Sequence, residues 1–118
     1  MEKICINAEE LRLIYSYALS HCKEVCPQDR DPKACLAMMK IGKLINIFPP
    51  CVKSYGYFKK DFLKKMLKEI EVREGRNIKR FIEEMKHRTP RNLQEYEDSI
   101  DSEFIYKILK ILEGEENA

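Results

Sequence analysis

Asp31-Pro32 and Pro49-Pro50 fence a stretch, Ala34 to Phe48, in which nearly every residue is apolar, and this segment most limits what the chain can fold into. Asp31 is a good N-cap, and proline at the first helical position gives up an N–H that would have had no partner anyway. The Pro-Pro pair cannot be carried inside a helix, because each ring removes a donor and pushes the preceding residue out of the helical region. Lys33, Lys40 and Lys43 leave only a narrow polar stripe. A helix apolar around most of its circumference has to be covered on most of it. The segment therefore predicts a buried, central second helix in an all-α bundle of about five helices.

The rest of the chain agrees with that class. Asn7 and Glu10 have the spacing of a capping box, and Leu11, Ile14, Tyr15, Ala18, Cys22 and Val25 recur at helical period, which predicts a first helix over 8–25 closed by Cys26-Pro27. Val52 to Tyr57 reads as a turn. Phe58, Phe62, Leu63, Met66, Leu67 and Ile70 then form an apolar stripe, and the linker 73–76 leads to a cap at Asn77 for a helix with Ile78, Phe81, Ile82 and Met85. Beyond Thr89-Pro90 the pattern predicts a short helix with Leu93 and Tyr96. Asp101 is the expected cap of a last helix carrying Phe104, Ile105, Ile108, Leu109 and Leu112, with Gly114 past its end and a frayed tail over 115–118. Few glycines, one threonine, and plentiful Lys, Glu, Ile and Leu favour helix over sheet, a bias shared with hyperthermophile proteins.

At 118 residues, 44% hydrophobic and 36% charged, the chain is expected to form one globular domain over 1–118. The start, MEKICINAEEL, has no apolar core of a signal peptide, and no run reaches the roughly 18 apolar residues of a membrane span. A cytoplasmic protein without membrane contact is the expectation. Phosphate loops, G-x-S-x-G and H-E-x-x-H are all missing, and His21 and His87 are far apart, so catalysis by this domain alone is not expected.

Five cysteines stand out. Cys22-x3-Cys26-x8-Cys35-x15-Cys51 departs from the usual zinc spacing, and no metal is expected. If the second helix ran straight from Cys35 to Cys51, its rise would separate them by about 20 Å, too far for one ion. In an antiparallel hairpin, Cys35 would then lie near Cys22 or Cys26, and Cys51 near Cys5. Disulfides in those two pairings are the first expectation. Free buried thiols are the alternative, since cysteine buries readily without a partner.

Charge is uneven along the chain. Residues 1–51 carry net +1, residues 52–91 net +7, and residues 92–118 net −6. In the basic middle, Lys53, Tyr55, Tyr57, Lys59 and Lys60 interleave cations with rings, and Arg76, Lys79, Arg80, Arg88 and Arg91 follow. Cations neutralise phosphates and rings stack on bases, which suits single-stranded nucleic acid. The competing reading is a solvated lysine face, which fits Lys64, Lys65 and Lys68 best, and core packing for the tyrosines. Gly75, Arg76, the Asn77 cap and Arg80 together offer a candidate triphosphate site at a helix start, to which Lys53 and Tyr57 would add a cation and a ring.

Two motifs add a resemblance. Phe48-Pro49-Pro50-Cys51-Val52-Lys53 resembles the F-P-P-C-[IV]-K segment that opens the C-terminal domain of the large subunit of archaeal and eukaryotic primases. Glu74-Gly75-Arg76-Asn77-Ile78, with Arg80-Phe81, resembles that domain's E-G-x-N-L run and R-F pair. The resemblance covers about 13 residues; helical-bundle domains of this kind also accompany the catalytic domain of archaeal plasmid primases. It implies a module binding single-stranded DNA template and ATP or GTP beside a catalytic primase domain in cis or in trans. In that family the first cysteine joins three downstream ones around an iron–sulfur cluster. No cysteine follows Cys51 here, so the resemblance implies that a Cys5–Cys51 disulfide takes over the cluster's structural role. A helical protein–protein adaptor, or a viral or plasmid regulator, is the other class of function the composition allows.

Overall fold

The structure, a computed structural model, describes residues 2–26 and 29–117, with side chains through residue 114. Pro27, the expected end of the first helix, lies outside the described residues, as do the side chains of the 115–118 tail. Among the described residues the chain is all-α. Its helices are α1 (Ala8–Val25), α2 (Pro32–Ile45), α3 (Pro50–Ser54), α4 (Lys60–Glu74), α5 (Ile78–Met85) and α6 (Leu93–Asn117), with one 3-10 turn at Gly56–Phe58. The chain divides into two compact units, Met1–Lys53 and Ser54–Ala118.

In the first unit α1 and α2 pack together. Asn7 caps α1 by accepting from the Glu9 N–H at 2.8 Å, and Asp31 caps α2 by accepting from the Lys33 N–H at 3.0 Å. Tyr15, Met38 and Ile45 form the core, with Leu11, Leu19 and Ile41 against them. Leu36, Met38, Met39, Gly42 and Ile45 of α2 are buried, which makes it the most buried element of its unit. Its other side, with Ala34, Ala37 and Leu44, stays open.

Helix α2 ends earlier than the proline pair led us to expect. Asn46 adopts the left-handed conformation (φ 59°, ψ 37°), which asparagine tolerates better than most residues, and the N–H groups of Asn46 and Ile47 both bond the Gly42 carbonyl. The chain then turns back. A Cβ on Gly42 would stand 2.5 Å from the Ile47 carbonyl oxygen, so glycine is what lets the returning chain cross so close. The Tyr15 hydroxyl donates to that same oxygen at 2.7 Å. Pro50 opens α3 instead of merely closing α2, so the expected turn over 52–57 is a short helix followed by the 3-10 turn.

In the second unit α4, α5 and α6 pack pairwise. Leu63, Leu67 and Ile70 of α4, Phe81 of α5, and Phe104, Ile105, Ile108 and Leu109 of α6 are buried, together with Tyr55 and Phe58 from the segment before α4. The Tyr55 and Phe104 rings lie 5.1 Å apart between centroids. Gly75, at φ 71°, caps α4, and the Asn77 side chain caps α5 through the Lys79 N–H at 2.9 Å.

The expected short helix and separate last helix are one. Asn92 starts α6 by accepting from the Glu95 N–H at 2.8 Å, and Asp101 and Gly114 lie inside it. Asp101 accepts from the Tyr55 hydroxyl at 2.8 Å rather than capping. Glu95, Asp98 and Ser102 continue the buried face of Ile105 and Leu109 towards the N-terminus at helical spacing. Polar residues on that face concealed its continuity.

Candidate nucleic-acid interface

All of the basic middle's net charge except Lys53, +6 over residues 54–91, meets the −6 of the C-terminal segment inside the second unit. Arg73 holds Asp98 with two hydrogen bonds, Nε to Oδ2 at 2.9 Å and Nη2 to Oδ1 at 2.7 Å, and Asp98 is 1% exposed. Arg88 holds Glu95 in the same two-pronged way, and the Arg91 N–H adds a third bond to it at 2.8 Å. Arg76 pairs with Glu84, lies 3.8 Å from Glu95, and stacks its guanidinium 5.4 Å from the centroid of Phe81. Planar guanidinium forks suit such sites, because they satisfy both oxygens of a buried carboxylate at once.

The network shifts its carboxyl groups apart. The Arg88 hydrogen bond, then the Arg91 N–H, hold the Glu95 carboxyl down at about 2. Burial alone would raise Asp98, but hydrogen bonds from Arg73, Glu74 and Gln94 outweigh it and keep the carboxyl below its ordinary value. Glu74 goes the other way, raised to about 7 by its hydrogen bond to Asp98, then by burial and by the Asp98 charge. Two carboxyl groups side by side cannot both ionise cheaply, so Glu74 carries the proton and donates it to Asp98.

This arrangement sorts the expected site residues. Arg76 and Arg88 have their charges met by acids within the unit. Asn77 uses its side chain on the Lys79 N–H, and Glu71 accepts from the Ile78 N–H at 3.1 Å, so the start of α5 is served by the protein's own groups. A methyl group placed on Gly75 would have no atom within 4 Å of it, and the role of this residue is the left-handed helix cap. Tyr55 is a core residue, 7% exposed, as the packing alternative has it. Tyr57 is half-buried at a positive φ of 57°, and Lys60 is half-buried at the first position of α4. Arg80 and Arg91 are exposed on the second unit, and Lys53 is exposed at the end of the first.

What sequence reasoning set aside is the outer side of α4. Lys64, Lys65 and Lys68 are exposed, and among the described residues they form no ion pair. Lys65 and Lys68 line a shallow groove with Glu69, Val72 and Arg73. Their spacing, at positions one and four apart, keeps them on one side of the helix. The amphipathic pattern already placed these three lysines on a solvated face, but nothing in the sequence showed that arginines of the basic middle would be drawn inward onto acids.

The cysteines need a correction. All five are free thiols, with Cys5 exposed and the other four half-buried. Neither the expected Cys5–Cys51 bridge nor one from Cys35 to Cys22 or Cys26 is formed, although Cys22 and Cys35 line one cavity. The 20 Å separation assumed a helix reaching Cys51. With α2 ending at Ile45, the turn at Asn46 brings the chain back to α1, where Tyr15 bonds the Ile47 carbonyl, so Cys51 does not continue the line of the helix. Compared with known proteins, the chain matches no family model, no curated protein and no solved structure.

Proposed function

We propose that the second unit is a non-catalytic module that holds single-stranded nucleic acid by its phosphates and presents it to a primase or polymerase acting in cis or in trans. The observation that supports this most is the division of cations: arginines 73, 76 and 88 are matched to acids, whereas Lys64, Lys65 and Lys68 face solvent on α4. A row of exposed ammonium groups attracts a polyanion without reading its sequence. The exposed Lys79 and Arg80 extend the same charge onto α5. Binding of ATP or GTP at the start of α5 would have to displace Glu71 and Asn77 from its amides, so strand binding carries the reading without it.

Fluorescence anisotropy with a labelled oligothymidylate tests it. Binding at low salt that weakens steeply as salt rises is expected, because each phosphate contact releases a counterion. No binding at low salt would overturn the proposal. Exposed Val72 (75%), Leu93 (71%) and Tyr96 (39%) favour a second reading, docking onto a protein partner, which would show little salt dependence.

A further inference from the structure

We propose that the open face of the α1–α2 hairpin is a self-association surface, which a second copy of this chain covers through a twofold axis to give a four-helix bundle. Both helices build the face. Ile14, Tyr17, His21 and Glu24 of α1 recur at intervals of three and four residues, and so do Lys33, Ala37, Lys40 and Leu44 of α2, so each set forms one stripe along its helix. Every one of these residues is exposed, and Ile14, Tyr17 and Leu44 are more than half exposed. His21 and Ala37 line one cavity of about 400 Å³ together with Ala18 and Ala34, so the two stripes flank a single groove. The alanines are too short to fill it, and the hairpin alone leaves it open.

Charge and register name the occupant. The charged residues of α2 are three lysines and no acid, whereas the α1 stripe ends in Glu24. Within the hairpin the Tyr15 hydroxyl stands 3.1 Å from where a Cβ on Gly42 would be, and Cys22 and Cys35 line the cavity from the two helices. At that register Glu24 is level with Lys33, Tyr17 with Lys40 and Ile14 with Leu44, to within one residue's rise, about 1.5 Å. In one chain the two stripes run along opposite edges of the face.

A twofold axis parallel to the helices, in front of the face, preserves each level and lays α1 on the partner's α2. Glu24 then meets the partner's Lys33, the Tyr17 ring meets the ammonium of the partner's Lys40, and Ile14 meets the partner's Leu44. Each contact is made twice, and every helix has antiparallel neighbours, as in an up-down four-helix bundle. A foreign helix would need to match only one stripe. Here two stripes of one chain match each other at the spacing the hairpin already imposes. The face is about 20 Å long, the rise of the 14 residues of α2, and two helix diameters across. That area is at the low end for a specific interface, so monomer and dimer exchange with concentration.

Sedimentation equilibrium of the full chain from about 1 μM to about 1 mM tests the proposal. The mass is expected to rise from monomer to dimer and no further. In an equal mixture of isotope-labelled and unlabelled chains, a carbodiimide should join a Glu24 peptide of one kind to a Lys33 peptide of the other. Glu24→Lys and Lys33→Glu should each weaken the dimer about tenfold, because each reverses one charge in two pairs, and the double variant should recover it. Leu44→Asp should abolish the dimer with helical circular dichroism retained, since Leu44 is exposed in the monomer. A chain still monomeric at about 1 mM would overturn the proposal, as would a dimer whose affinity Glu24→Lys and Leu44→Asp leave unchanged. So would cross-links from Glu24 to lysines of Ser54–Ala118 in place of Lys33, which would make the chain's own second unit the occupant. If Leu44→Asp fails to fold, the charge-reversal series still decides.

Discussion

Arg88 grips Glu95 from both sides of the carboxylate, Nη1 to Oε1 at 2.5 Å and Nη2 to Oε2 at 2.9 Å, on a residue that is 4% exposed. The pair ties the segment after α5 to the first turn of α6, and the Arg91 N–H bonds the same oxygen from the intervening loop. Removing the charge from Glu95 leaves Arg88 and Arg76 with Glu84 as the one carboxylate they still share. Glu95→Gln is therefore expected to lower Tm by several degrees, with loss of order starting in the 86–95 segment. Hydrogen exchange on the Arg91 and Glu95 amides would report it. The carboxyl is held below its unfolded value, so its stabilisation is present above the ordinary 4.5 and lost as pH falls towards about 2. The wild type should show that acid-limb loss, and Glu95→Gln should lack it.

Glu74 predicts the opposite slope at higher pH. Its carboxyl is raised above 4.5 to about 7, so the stabilising hydrogen bond to Asp98 is complete below 4.5 and lost as pH rises through 7. Thermal unfolding between about pH 5 and pH 8 should show Tm falling as this proton leaves, given that Arg73 keeps Asp98 ionised throughout. Glu74→Gln supplies an N–H donor that does not titrate. It should flatten this part of the profile, and an unchanged slope in the variant would remove Glu74 as its origin.

Gly75 separates a structural role from a phosphate-binding one. A Cβ there meets no neighbour, so the cost of Gly75→Ala is the left-handed backbone alone, about 1 kcal/mol. Denaturant unfolding should show that loss without a change in affinity for single-stranded DNA. A large loss of affinity with stability retained would restore the loop 73–77 as a ligand site.

The helices legible in the sequence are those whose caps and apolar stripes agree. Asn7, Asp31 and Asn77 each sit where their side chains bond the first turn, and α1, α4 and α5 lie where expected, though Ile14 and Ala18 of the expected α1 stripe and Phe62 of the α4 stripe are exposed. The continuity of α6 is hard to read because Glu95, Asp98 and Ser102 occupy its buried face, and buried acids look like surface until their arginines are known. The end of α2 is equally hidden, since Pro49-Pro50 is the louder stop signal, while Asn46 terminates the helix through a conformation that sequence does not declare. The same early stop undoes the 20 Å separation expected between Cys35 and Cys51, since the helix does not reach Cys51. Of the candidate site, the excess of cations is legible. Which of them remain exposed depends on the fold of α6 against α4 and α5.

The measurement that tests this division most directly is the salt dependence of oligothymidylate binding, compared between Arg76→Ala and the triple variant Lys64→Gln, Lys65→Gln, Lys68→Gln. If the α4 lysines hold the strand, the triple variant should bind more weakly, and its slope of log affinity against log salt should be shallower by about 2, three contacts at roughly 0.7 each. Arg76→Ala should keep the wild-type slope, because that guanidinium is already paired with Glu84 and Glu95. A triple variant that binds with unchanged slope, beside an Arg76→Ala protein that has lost binding while remaining folded, would contradict the account.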